Sequence, residues 1–251
     1  MNAGLLTASD TADIDANVSE VFCSVQGEGP YVGVRQAFVR FTGCNLRCSY
    51  CDTPVGKEET CRFEEVPGSG VFRQLDNPLH SSDIARMASS YGKIHSVSLT
   101  GGEPLIHADF ISRLELASPL YLESNMTLPQ MAKRIKDKVS YVAGDVKLLP
   151  PSSVDDMDLH LENTIECFRT LKATRDRDCF CKVVVTKDTA ADDVEGMIGA
   201  IAGYISCAVL QPVSQKELLP EPGYLIGLQE RMLDHVNTRI IPQTHKMWGC
   251  L

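Results

Sequence analysis

Short runs rich in Val, Ile and Phe recur along the chain, separated by longer stretches with helical spacing. This alternation limits the fold more than any other feature. The predicted strands are Val18–Val25, Arg35–Phe41, Ile94–Leu99, Leu120–Glu123, Ser140–Lys147, Phe180–Thr186, Cys207–Gln211 and Thr238–Ile241. Their composition suits a sheet buried on both faces. The predicted helices are Ser82–Tyr91, Ala108–Leu116, Leu128–Lys138, Asp156–Ala173, Ala191–Ala202 and Tyr224–Val236, with Ser82 and Asp83 as the N-cap of the first. Such alternation predicts an α/β fold with a mostly parallel sheet and right-handed crossovers. These elements are too few for a full eightfold barrel. A partial, open β/α barrel is therefore expected, with its site beyond the carboxyl ends of the strands.

Two segments depart from the rhythm. Residues 1–17 are polar and acidic and read as a flexible arm, with no basic-then-apolar targeting signal. Residues 54–79 mix charges with Pro67, Gly68, Gly70 and Pro78 and read as a loop-rich insertion. With no repeat and no second composition regime, residues 18–251 are expected to form a single domain. The net charge of −9, from 33 acidic against 24 basic residues, argues against a nucleic-acid binder, which needs a basic face. No apolar run reaches the ~18–20 residues that span a bilayer. The expected location is the cytoplasm, away from membranes.

Ten cysteines are more than a chain of this length needs as staples. Cys44, Cys48 and Cys51 cluster with the spacing C-x3-C-x2-C directly after the strand Arg35–Phe41. Cys23, Cys61, Cys167, Cys179, Cys181, Cys207 and Cys250 are scattered, as small core residues are. Three thiolates from one loop can hold three irons of a [4Fe–4S] cluster and leave the fourth iron open. A zinc site or a ferredoxin would need a fourth ligand, and Cys61 is the only local candidate. Cys179 and Cys181 share one strand face and read as core packing.

The run Arg40-Phe-Thr-Gly-Cys44-Asn-Leu-Arg-Cys48-Ser-Tyr-Cys51-Asp-Thr53, followed by Thr100-Gly-Gly-Glu-Pro104, resembles the radical S-adenosylmethionine (SAM) superfamily. Upstream, Phe22-Cys-Ser-Val-Gln26-Gly27-Glu28-Gly29-Pro30 narrows the resemblance to the 7-carboxy-7-deazaguanine synthase family. Leu122-Glu-Ser-Asn125, Asp145-Val-Lys147, Lys182-Val-Val-Val, Leu210-Gln-Pro212 and Gln243-Thr-His-Lys246 extend the match to about residue 249.

The resemblance implies a set of roles. Cys44, Cys48 and Cys51 would ligate the [4Fe–4S] cluster, and Tyr50 and Asp52 would adjoin SAM. Gly102, Glu103, Ser124, Asn125, Lys147 and Gln211 would contact SAM, with Glu103 accepting from its ammonium. The glycines would let backbone approach the ligand. Gln26, Gly27, Glu28, Arg40 and Thr100 would bind 6-carboxy-5,6,7,8-tetrahydropterin, Arg40 taking the carboxylate. Thr53 would contact Mg²⁺, and His245 and Lys246 would help to close the substrate pocket. The implied reaction is a radical ring contraction, begun at C6 of the pterin, that gives 7-carboxy-7-deazaguanine and ammonia in a queuosine or archaeosine precursor pathway. A flavodoxin- or ferredoxin-type reductant and a homodimer are implied as partners. The rival enzyme reading is a glycyl-radical activase acting on a protein. The rival outside catalysis is an iron–sulfur electron carrier.

Overall fold

The computed structural model describes residues 14–48, 56–148 and 153–250. Its strands, in chain order, are β1 (Asp15–Ala16), β2 (Val18–Val25), β3 (Arg35–Phe41), β4 (Thr60–Phe63), β5 (Arg73–Asp76), β6 (Leu79–His80), β7 (Ser96–Gly101), β8 (Leu120–Ser124), β9 (Val139–Val146), β10 (Asp178–Val185), β11 (Ala208–Pro212) and β12 (Thr238–Ile240). The α-helices are α1 (Ser81–Ser90), α2 (Ala108–Arg113), α3 (Pro129–Ile135), α4 (Met157–Thr170), α5 (Ala191–Ile201), α6 (Pro222–Leu233) and α7 (His245–Trp248).

Ten strands form one sheet in the order β12-β11-β10-β9-β8-β7-β3-β2-β4-β5. From β3 to β12 every neighbouring pair is parallel, while β2 runs antiparallel to β3. This is the expected open, mostly parallel α/β sheet, and all eight predicted strands fall within it.

The two-residue alternation of side chains divides the sheet into two chemistries. Outward residues such as Val39, Leu99, Leu122, Val142, Cys181 and Val183 pack in the main core. Helices meet them with apolar residues at helical spacing. In α1, Ile84, Met87 and Ala88 are buried, and in α5 Val194, Met197, Ile198 and Ile201. Burying each such side chain contributes about 1.5–3 kcal/mol. On the inner face Tyr121, Phe180, Ala143 and Val209 form a second cluster, against which Tyr31 and Tyr141 pack. Tyr31 meets Tyr121 and Tyr141 edge-on at 5.9 and 5.0 Å between ring centroids. This aromatic plug fills one end of the concave face and leaves the other, at the strand carboxyl ends, hollow.

Three expectations need correction. The 54–79 segment is not merely loop: β4 and β5 pair and extend the sheet beyond β2. The apolar positions of β4, Cys61 and Phe63, are too few to show a period, yet both are buried. Of the expected 1–17 arm, residues 1–13 lie outside the described residues, and residues 14–17 are built into the fold. Ala16 is buried, β1 pairs with β6, and the Asn17 side chain bonds Thr42 and the backbone of Glu58 at 2.8–3.1 Å. The first helix is capped by His80, two residues earlier than the expected Ser82, and the Asp83 carboxylate accepts from the His80 backbone N–H.

Candidate active site

A cleft of about 450 Å³ opens at the carboxyl ends of the parallel strands. Its wall draws Phe22 and Gln26–Glu28 from the β2 end, Arg40 from β3, Thr100 from β7 and Glu123 from β8. Asp145, Lys182 and Gln211 follow from β9, β10 and β11, and His245 and Lys246 come from α7. Cys44 and Cys48 line the same space. Tyr50, Cys51, Asp52 and Thr53 lie outside the described residues.

The Thr100–Glu103 segment clamps the start of the cysteine loop. The Gly102 N–H donates to the Phe41 carbonyl and the Glu103 N–H to the Gly43 carbonyl, both at 2.9 Å. A Cβ at Gly102 would lie 1.8 Å from the Gly43 oxygen, and one at Gly101, where φ is +108°, 2.3 Å from the Phe41 oxygen. Glycine is thus required here for backbone-on-backbone packing.

Glu103 ends the same segment. Its carboxylate is wholly buried and does not line the cleft. It accepts from the Leu105 N–H (2.9 Å), the Ser124 hydroxyl (2.8 Å) and the Asn125 N–H (2.7 Å). Burial pushes its carboxyl up to about 7, against the pull of these donors and Lys147. The carboxylate ties the ends of β7 and β8 together.

Ser124 and Asn125 line the cleft, but their side chains serve the same clamp. The Asn125 amide donates to Asn45 Oδ1 (3.0 Å) and approaches Cys44 Sγ at 3.8 Å. The Leu46 N–H also donates to that sulfur at 3.4 Å. Met126, at φ +56° and fully buried, turns the chain after them.

On the opposite wall Gln26 is spent internally. Its Nε2 donates to Gln36 (3.0 Å) and Glu123 (3.1 Å), and its Oε1 accepts from the Glu28 N–H. Glu123 further accepts from Ser98 and Thr100. Arg40 is anchored through Nε by Glu20 (3.1 Å), leaving its terminal guanidinium nitrogens for a ligand carboxylate. Glu28 pairs with Lys182 and accepts from Gln243 Nε2 at 2.6 Å. Burial pushes the Glu28 carboxyl up, but Lys182, Gln243 and His245 together hold it down at about 2. Lys147 pairs with Asp145 at 2.6 Å.

Asp145, Lys182 and Glu123 received no role from the sequence. The signal was present: each is a charge set among apolar neighbours in a buried strand, where an unpaired charge is costly. Two buried atoms of the cleft wall, Asp145 Oδ1 and Gln211 Oε1, have no hydrogen-bond partner among the described residues. Such acceptors call for donors from a bound molecule. The ribose hydroxyls, amino groups and ammonium of SAM are donors of that kind, and thiols at the cleft edge suit iron–sulfur ligation. The described residues therefore fit both groups.

Residues 38–198 match the Radical SAM superfamily. The 7-carboxy-7-deazaguanine synthase of Archaeoglobus fulgidus is 44% identical over 235 residues, which cover 93% of this chain and 98% of that protein. The synthase of Geobacter sulfurreducens is 35% identical, over 94% of this chain and 98% of its own. The crystal structure of QueE from Escherichia coli shares the fold, with a TM-score of 0.57 at 20% identity over 92% of this chain and 95% of that one. Clamped cysteine loop, strand-end cleft and near full-length likeness agree, and the chain belongs to the radical SAM superfamily and, within it, to the 7-carboxy-7-deazaguanine synthase family.

Proposed function

We propose that this chain converts 6-carboxy-5,6,7,8-tetrahydropterin to 7-carboxy-7-deazaguanine with loss of ammonia. The observation that carries the reading is one cleft with cysteine thiols at one edge and a carboxylate-reading arginine and a charged acceptor on the opposite wall. When bound, a [4Fe–4S] cluster with SAM supplies one-electron homolytic chemistry there.

Cys44, Cys48 and Cys51 would hold the cluster, and the Gly43–Glu103 backbone bond keeps their loop against β7. Asp145, Lys147 and Gln211 would hold SAM, the two orphan acceptors taking its donors. On the far side Arg40 would take the substrate carboxylate, and Glu28 would accept from the pterin N–H groups. Holding the reacting carbon in one geometry is the protein's main catalytic work. The C-terminal segment helps to exclude water. The Thr244 N–H and hydroxyl both bond the Gly27 carbonyl, and His245 packs where a Cβ on Gly27 would sit.

A Mg²⁺ ion is proposed at Thr53, with the substrate carboxylate and water as its other ligands. Among the described residues, no group of three or more His, Cys, Asp or Glu is placed to hold a metal ion by itself. A low-potential flavodoxin- or ferredoxin-type donor, a homodimer and a cytoplasmic location complete the proposal. No helix among the described residues is long and apolar enough to cross a membrane.

The test is anaerobic turnover of the cluster-loaded protein with SAM, dithionite and the carboxylated tetrahydropterin, read by mass spectrometry. The deazaguanine product is expected. Consumption of SAM without that product would point to the activase reading, and no response of the cluster EPR signal to SAM would overturn radical chemistry altogether.

A further inference from the structure

Lys182 is the charged residue that β10 contributes to the cleft. Alternation along β10 sends Phe180, Lys182 and Val184 inward, and Phe180 belongs to the aromatic plug. Lys182 thus sits one inward position above the plug, with its side chain 11% exposed. Its Nζ pairs with Glu28 and lies 4.0 Å from Asp145 Oδ2.

Glu28 is held from three further sides. Gln26 bonds its backbone N–H, Gln243 donates to its other carboxylate oxygen, and His245 presses on Gly27 beside it. What remains undetermined by these contacts is its charge. A carboxyl this deep would take up a proton without a cation beside it, and a protonated carboxyl donates where an ionised one only accepts.

From this geometry we infer that Lys182 is a positioning and specificity residue, which keeps Glu28 an ionised acceptor and so selects ligands that present N–H donors at that edge. The inference rests on the pterin reading above. The ligand class is a bicyclic aminopyrimidinone, whose amino and ring N–H groups are adjacent donors. A 2-oxo analogue of the lumazine type offers a carbonyl at the amino position and would face Glu28 with acceptor against acceptor.

The charged groups that line the cleft with Glu28 are Lys182 on β10, Asp145 and Lys147 at the end of β9, Glu123 on β8, Arg40 on β3, and His245 and Lys246 on α7, and of these Lys182 and His245 act on Glu28 directly. The others are unchanged in Lys182→Met, and Asp145 keeps its closer partner Lys147 at 2.6 Å, so the difference between the two pH profiles reports chiefly on Glu28.

The experiment compares wild type, Lys182→Met and Lys182→Arg as cluster-loaded proteins. It measures kcat and KM for the carboxylated tetrahydropterin between pH 6 and 8.5, with Kd from anaerobic equilibrium dialysis for the pterin and its 2-oxo analogue. Loss of a charge-assisted hydrogen bond predicts a rise in KM and Kd of about 10–100-fold in Lys182→Met. The rise should be largest at pH 6 and shrink toward pH 8.5 as Glu28 ionises. kcat should change far less, discrimination against the 2-oxo analogue should narrow, and Lys182→Arg should restore most of both. A folded, cluster-loaded Lys182→Met with wild-type KM, pH profile and discrimination would overturn the inference. Should that variant fail to fold, Gln243→Leu, which removes the second donor to Glu28, is expected to raise Kd for the pterin about 3–10-fold; an unchanged value would be equally fatal. Wild type that neither binds nor turns over the pterin would instead refute the proposed function.

Discussion

Glu103 shows how a motif residue can hold the frame of its own site together. With three buried donors on one carboxylate, Glu103→Ala would leave three unsatisfied groups. It should lower stability by about 2–4 kcal/mol, read from the midpoint of denaturant unfolding. The sign of its pH dependence follows from burial. A carboxyl raised from 4.5 to about 7 by folding contributes most below pH 4.5, and that contribution is lost as pH rises through 7. Relative to Glu103→Gln, the wild type should therefore lose up to about 3 kcal/mol across this window, a difference that paired melts at several pH values would detect. The glycine beside it has a separate test. Gly102→Ala would drive a methyl group into the Gly43 carbonyl, so the purified protein should carry less iron and sulfide per chain. Neither role was legible in the sequence, because both depend on what crosses behind β7.

At the scale of the element, β10 separates structure from chemistry by residue parity. Cys179, Cys181, Val183 and Val185 face the helices, and Phe180, Lys182 and Val184 face the cleft. The strand was legible to within two residues at either end, since its apolar content and flanking turns are local. Burial raises both thiols and keeps them uncharged, as inert core residues are. Cys181→Ala should therefore keep its iron content and lose about 1–2 kcal/mol of stability. Cys44→Ala or Cys48→Ala should abolish the cluster's absorbance and activity while the melting curve stays close to wild type. Iron analysis beside thermal melts separates these outcomes. The 54–79 segment was illegible for the converse reason. The short strands β4 and β5 gain their place from pairing with β2 and with each other, which no local period announces.

For the molecule as a whole, the principal core lies between the sheet and its helices, on the face opposite the cleft. Removing the cluster with a chelator should accordingly leave the far-UV circular dichroism intact while abolishing SAM binding, as isothermal titration would show. If helix content collapsed with the iron, the cluster would be a folding element and the layered account of the core would fail. Spacing and composition were enough for the strand–helix order, the cysteine loop and its family, because each is written in residues close together along the chain. The C-terminal strap on Gly27, the Lys182–Glu28 pair and the bonds of Glu103 to the end of β8 were settled by packing alone. They join residues up to 217 positions apart, and only the closing of the sheet brings such partners near enough for charge and shape to act.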